Sequence, residues 1–270
     1  MKPLSQLAPS ALRDCCAVFT DIDDTLTTHG QLPAAAYDAL ERLAAAGISV
    51  VPITGRPAGW CDMIARLWPV AGVVGENGAL YFSYDRKAHV MRQRFFATPE
   101  ERRANRKRLD VLREKILREV PGAGIASDQL YREADLAIDF CEDVPALPPD
   151  QVQRILDLFA EAGATAKLSS IHVNGWFGNY DKLSMTRIFA TDILGLDLEA
   201  ARDRMVFVGD SPNDGPMFSF FPKSCGVANV RAFAPGSFHP PAFVTDLPCG
   251  EGFVQVADHI LSARREKVDA

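Results

Sequence analysis

Three aspartates, Asp21, Asp23 and Asp24, fall within four positions of the stretch CAVFTDIDDTLTTHG, directly after an apolar run. Carboxylates this close repel one another unless a cation or a reaction uses them. Asp21 and Asp23, two residues apart, can share a site while differing in environment, one attacking phosphorus and the other moving a proton. A calcium loop is a second reading of D-x-D spacing. It fails here, because the sixth and twelfth positions, which an EF-hand fills with Gly and Glu, are Leu26 and Leu32. A plain polar turn after a strand is the remaining alternative.

Three further stretches have chemistry-bearing residues at matching places. In GDSPND, Asp210 and Asp214 are four apart and can face one point if a helix starts between them. Hard oxygen ligands in this number suit Mg²⁺, which completes its shell with water and phosphate oxygens; an Asx turn capping a helix is the alternative. Thr54 in VPITGRP follows an apolar run, so its hydroxyl and the neighbouring N–H groups either receive an anion or cap a helix. Lys182 in GNYDKLSMTR begins a helix, where a lysine is either solvated or neutralises phosphoryl oxygen charge.

These residues need elements to hold them. Cys15 to Thr20, Ile48 to Ile53 and RMVFVGD read as buried strands, and LPAAAYDALERLAAAG between the first two reads as a helix with Pro33 in its first turn and Gly47 past its end. AGVVGENGALYF adds a third strand, a glycine-rich turn and a hairpin arm. This alternation predicts a doubly wound α/β parallel sheet, which binds ligands at the carboxyl ends of its strands. The four stretches all sit at strand ends or at the start of the next helix. Between them the pattern changes. HVMRQRFF reads as a strand, and TPEE as a capping box from Thr98 to Glu101 with Pro99 in the first turn. A long helix follows with an apolar stripe at Leu109, Leu112, Ile116 and Val120, then ADLAIDF as a strand, a helix closed by Gly163, and one or two strands in AKLSSIHVNGWFG. The expected layout is a Rossmann-like core of residues 1–83 and 179–270 with an inserted α+β unit at 84–178. Short strands near Val227 and Val244 and a helix from Gly252 complete the core.

In this order, and with this insertion, DIDDT, TGR, Lys182 and GDSPND resemble the haloacid dehalogenase-like phosphatases. VVGENGA is similar to the loop that leads to the cap in their type IIB subclass. The resemblance implies Asp21 as nucleophile forming an aspartyl-phosphate and Asp23 as acid and then base. It places Mg²⁺ on Asp21, on Asp23 through its backbone carbonyl, and on Asp210, with Asp214 completing or supporting the shell. Thr54 and Lys182 would grip the phosphoryl oxygens. The family often has Gly where Asp24 stands, and this extra carboxylate is expected to point to solvent.

Substrate contacts are expected from Gly55, Arg56, Asn77, His172, Asn174 and Asn213. Arg56 and Asn213 also suit structural roles at a helix start. If residues 171–174 are extended, His172 and Asn174 share a face, and the segment resembles the cap-to-core return of sugar-phosphate phosphatases and phosphomannomutases. Trp176 is expected to seal the hinge. The leading expectation is a Mg²⁺-dependent sugar-phosphate phosphatase. A phosphomutase is the runner-up, with Arg92, Arg94 and Arg132 as candidates for its second phosphate grip, and a catalytically silent sensor is less favoured.

Bulk properties narrow the partners. The chain has 270 residues and a net charge of −6, so it lacks a general attraction for nucleic acid or anionic membrane. The twelve Lys/Arg against four Asp/Glu between Arg86 and Arg118 read as the solvated side of the long helix, with no aromatics interleaved inside that helix. No apolar run approaches the ~20 residues of a membrane span, and MKPLSQLAPSALRD lacks the apolar stretch of a signal peptide. Six cysteines without metal-site spacing suit a reducing compartment. A cytoplasmic protein acting on a small phosphorylated substrate is expected, with oligomeric state left open.

Overall fold

The apolar runs pair into parallel strands in the computed structural model, which describes residues 1–169, 171–234, 236 and 238–268. In chain order the first part contains β1 (Lys2–Pro3), α1 (Pro9–Leu12), β2 (Ala17–Thr20), α2 (Ala34–Ala45), β3 (Ser49–Pro52), α3 (Ala58–Leu67), β4 (Val73–Gly75), β5 (Leu80–Asp85) and β6 (Val90–Phe95). The middle contains α4 (Pro99–Glu119), β7 (Gly124–Ile125), β8 (Leu136–Asp139), α5 (Pro149–Glu161), β9 (Thr165–Leu168) and β10 (His172–Trp176). The last part contains α6 (Lys182–Phe189), α7 (Leu198–Ala201), β11 (Met205–Gly209), α8 (Gly215–Phe220), β12 (Ser224–Gly226), β13 (Phe243–Val244) and α9 (Cys249–Val268).

The main sheet runs β1-β13-β12-β11-β2-β3, and every pair in it is parallel. The central strands β2, β3 and β11 are almost wholly apolar because both faces are covered. Val18, Val50, Val206 and Val208 point to the side packed by α2, α3 and α9. Phe19, Val51 and Phe207 point to the side packed by α6 and α8, where Phe19 and Phe207 both meet the Phe221 ring. Each such side chain contributes about 1.5–3 kcal/mol by leaving water. The doubly wound α/β core is thus present. Strand β1 is an addition, two residues too short to announce itself in the pattern.

The third strand expected after α3 departs from a simple continuation of the sheet. β4 touches it through one bridge, Ile53 to Val74, and pairs fully with β5, which pairs with β6. Leu80 and Phe82 of this meander, with Met91 and Phe95 packed beside them, join the core cluster of α3. By packing, residues 84–95 therefore go with the core, and the inserted unit leaves it just before α4.

That unit is a sheet in the order β7-β8-β10-β9, antiparallel throughout, with α4 and α5 on one face. Thr98 and Glu101 form the reciprocal capping box at the start of α4. The stripe Leu109, Leu112, Ile116 and Val120 is buried with Ile155 and Phe159 of α5 and with Leu136, Ile138 and Val173 of the sheet. The basic residues of α4 serve this packing: Arg102 pairs with Glu133, Lys115 with Glu161, and Arg106 donates to the carbonyls of Arg132 and Asp135. Lys167 and Asn174 are directly opposite across β9 and β10, so they share the sheet's other face with His172. That face looks toward the core. Trp176 is buried and stacks on Tyr180 where the chain returns to the core.

Two glycines separate conformational from steric cost. Both have positive φ: Gly47, past the end of α2, at +74° with open space around it, and Gly78 at +102°. A Cβ on Gly78 would overlap the carbonyl of Asp181, the N-cap of α6. Urea unfolding should show Gly47→Ala losing about 1–2 kcal/mol and Gly78→Ala losing more than about 3 kcal/mol. Equal losses would contradict this close approach.

Candidate active site

Neighbouring strands β2 and β11 end at Thr20 and Gly209, and the next residues are Asp21 and Asp210. From β2 the chain steps to β3 on one side, while β11 lies on the other, so a crevice opens where the winding reverses. Lys182 enters it from the first turn of α6, whose N-cap Asp181 accepts from Ser184 N–H. Its Nζ donates to Asp21 Oδ1 and to Asp214 Oδ1, both at 2.8 Å. The other oxygen of Asp214 accepts the Asp210 N–H at 3.1 Å, so both its oxygens are engaged within the protein. Residue 209 is glycine because a Cβ there would strike that same Asp214 carboxylate.

Asp21, Asp210 and Asp214 each offer an oxygen within 4.8 Å of the others. Burial, then repulsion from Asp21 and Asp214, pushes Asp210 up to about 9. Burial also pushes Asp21 up to about 7, against the pull of Lys182 and with repulsion from Asp214 and Asp23. Lys182 is held in its charged form by the two aspartates, which overcome its own desolvation. Once ionised, three carboxylates and one ammonium would leave two negative charges uncompensated in a buried site, which is why two of the three hold their protons so far up the pH scale. A divalent cation with a taste for oxygen fits that deficit.

Asp23 faces the crevice differently. Arg56 grips it through Nε, at 3.0 and 3.1 Å from the two carboxylate oxygens, and through Nη2 at 2.9 Å. The same guanidinium is 3.8 Å from both Asp128 and Glu142 of the inserted unit. Thr54 is fully buried, and its Oγ1 accepts the Arg56 N–H at 2.9 Å. Asp24 has φ +55°, the left-handed region that favours glycine. It lines the crevice, half-buried, and does not stand in open solvent as expected.

A cavity of about 340 Å³ spans the crevice and the polar face of the inserted sheet. Asp21, Asp23, Gly55, Arg56, Asn77, His172, Asn174, Asp210 and Asn213 all line it. Thr54, Lys182 and Asp214 are buried behind that lining. Asn77 is 5% exposed, and its Nδ2 is a buried donor with no hydrogen-bond partner among the described residues. Asn213 accepts from Ser211 Oγ, and Asn174 donates to Asp135. His172 Nε2 is 2.9 Å from Glu142 Oε2, and burial holds the imidazole below its ordinary pKa against that carboxylate's pull. Arg132 lines the cavity, but Asp128, Asp135 and the Gly55 carbonyl occupy its guanidinium. Arg92 and Arg94 lie outside the cavity and pair with Asp85 and Asp192.

Several site residues escaped the sequence. Asn229 donates to Asp210 Oδ2 and to the Asp24 carbonyl, and nothing in GVANV announces it. Thr25, inside the DIDDT stretch itself, donates to Asp210 Oδ1. Glu142 and Asp128, which face Arg56, come from loops of the inserted unit whose position no local pattern reveals.

Residues 18–103 match the sequence profile of the haloacid dehalogenase-like hydrolases. No curated protein matches the chain in sequence. Among solved structures, it is similar to a Thermoplasma acidophilum protein at 19% identity and TM-score 0.69, covering 91% of this chain and 97% of that one. It is similar also to a Synechocystis sucrose-phosphatase solved with sucrose and phosphate, at 14% identity and TM-score 0.62, covering 91% and 98%. A third is a sugar phosphatase of subclass IIB, at 16% identity and TM-score 0.61, covering 90% and 98%. These likenesses extend over the inserted unit as well as the core. Residues 18–103 thus carry the sequence pattern of the haloacid dehalogenase-like hydrolases, and the chain as a whole shares the fold of these structures.

Proposed function

We propose that the protein is a Mg²⁺-dependent phosphatase that hydrolyses a small phosphomonoester, a sugar phosphate above all, through a phosphorylated Asp21. One observation carries this reading: Lys182 joins Asp21 to Asp214 with Asp210 alongside, at the base of a cavity roofed by polar side chains. With Oδ1 of Asp21 held by Lys182, Oδ2 attacks phosphorus while the bond to the leaving oxygen breaks. Asp23 gives that oxygen a proton, then takes one from the water that attacks the phosphoryl-aspartate and frees phosphate and Asp21. Arg56 steadies Asp23 for both transfers. Thr54 and Lys182 meet the phosphoryl oxygens, where charge neutralisation and alignment supply most of the acceleration. Asp21 and Asp210, with the Asp23 carbonyl, would hold Mg²⁺, which when bound neutralises phosphoryl charge; Asp214 supports them from behind.

Lys167, His172, Asn174 and Asn77 around the cavity suit the hydroxyls of a sugar, and Phe233 at the lining offers an apolar face. The sugar phosphatases among the structural neighbours support the same substrate class. The mutase is not favoured, because Arg92 and Arg94 are outside the cavity and Arg132 is spent on its own neighbours. No helix among the described residues is long and apolar enough to cross a membrane. The six free cysteines support a cytoplasmic setting.

With Mg²⁺ and a panel of hexose, disaccharide and glycerate phosphates, the protein should release phosphate from at least one compound. Asp21→Asn should lower the rate by at least about 10³-fold. Undiminished release by that variant, or isomerisation without release, would sink the proposal.

The crowded carboxylates also set a pH signature. Folded Asp210 and Asp21 keep their protons to about 9 and about 7, whereas unfolded aspartate ionises near ~4. Ionisation therefore costs stability, and the metal-free protein should lose Tm as pH rises from 5 to 9. Saturating Mg²⁺ should raise Tm by roughly 5–10 °C at pH 8 and by much less at pH 5.5. Asp210→Asn should flatten the metal-free profile and remove most of the Mg²⁺ response; an unchanged response would place the cation elsewhere.

A further inference from the structure

Glu76 is fully buried between the core and the inserted unit. Its Oε1 accepts the N–H of Ala58 at 2.9 Å and of Glu133 at 2.8 Å, and its Oε2 accepts those of Ala134 at 2.6 Å and Asp135 at 3.2 Å. Ala58 opens α3, whose N-cap is Pro57, a residue with no side-chain oxygen to offer. Glu76 therefore supplies that cap from another part of the chain, with its carboxylate at the end of the helix that favours the ionised form; burial and Asp135 push it up to about 7, and the N–H groups of Glu133 and Ala134 pull the other way. The other three donors belong to the segment that leads into β8 of the inserted unit.

The main chain of the same turn backs the catalytic loop. Glu76 N–H donates to the Arg56 carbonyl and Asn77 N–H to the Thr54 carbonyl, each at 3.1 Å. Both residues are in the left-handed region, with φ of +45° and +54°, a cost that side chains other than glycine bear only where surrounding contacts impose it. The turn also sets Asn77, whose unpartnered Nδ2 lies over Gly55 in the cavity wall. Arg132 reinforces the joint by donating to the Gly55 carbonyl at 3.0 Å.

We infer that Glu76 is a positioning residue, a carboxylate clasp that seats the inserted unit on the loop carrying Thr54 and Arg56 and so aligns Thr54, Arg56 and Asn77 for turnover. Its role in turnover rests on the phosphatase reading; the seating does not. All four partners are N–H donors, so the clasp demands an acceptor-only group. A glutamine of the same shape would turn its own N–H₂ against two of them. Gln should therefore fail at this position almost as badly as Ala, whereas a merely space-filling glutamate would be replaced by Gln without loss.

Amide hydrogen exchange tests the seating without requiring activity. In the wild-type protein Glu133, Ala134 and Asp135 should be protected despite lying outside a strand, and unprotected rates there would overturn the clasp. Glu76→Gln and Glu76→Ala should each speed their exchange by about tenfold or more, the loss of one charge-assisted hydrogen bond. Wild-type exchange in the Gln variant would overturn it too. On p-nitrophenyl phosphate with Mg²⁺, both variants should lose about tenfold or more in kcat with KM much less changed and the Mg²⁺-induced rise in Tm retained. Faster exchange with unaltered kcat would refute the positioning role. Loss of the phosphatase reading would show separately, as wild-type turnover that is absent or indifferent to Asp21→Asn.

Discussion

The ammonium of Lys182 between Asp21 and Asp214 is the contact on which the site depends. It joins the end of β2, the start of α6 and the turn after β11, three places far apart in the chain. Each partner alone would be a buried charge without compensation, which costs several kcal/mol. Together they form a fixed polar base under the cavity, with one Asp21 oxygen anchored and the other available. The same burial that makes this base rigid leaves it short of positive charge, a shortfall that suits the divalent cation of the proposed function.

The fold is arranged around this base. A doubly wound sheet sends Asp21 and Asp210 out side by side where the winding reverses, and apolar packing on both faces fixes their separation. Glycines at 78 and 209 let α6 and Asp214 approach more closely than any side chain would permit. The inserted sheet buries one face under α4 and α5 and turns the other, with Lys167, His172 and Asn174, over the carboxylates. On the proposed reading, the chemistry falls to the core and the substrate's body faces the insertion. Glu76, Arg56 and Arg132 bind the two across their shared boundary.

What could be read in advance followed the locality of its cause. A buried parallel strand writes itself as an apolar run, and a capping box as Thr98 and Glu101 three apart. The four motifs were legible because strand ends carry their residues in short contiguous stretches. His172 and Asn174 could be assigned to one face by strand alternation alone. The fork between Arg56 and Asp23 was not legible, since it depends on how two strand-end loops fold toward each other. Glu76 gave even less sign: it completes a helix start that Pro57 leaves open, and its other partners are main-chain groups that any sequence possesses. Which core Met91 and Phe95 pack against was not legible for a similar reason, because that choice is made only in three dimensions.

The central claim is a covalent one, that phosphorus passes through the carboxylate of Asp21. Rapid acid quenching of the protein with a phosphoryl-labelled substrate, followed by peptide mapping, tests it directly. The account predicts transient label on the peptide containing Asp21, lost on a chase with unlabelled substrate. Label on another residue, or phosphate appearing in a single turnover with no labelled protein at any time, would contradict it.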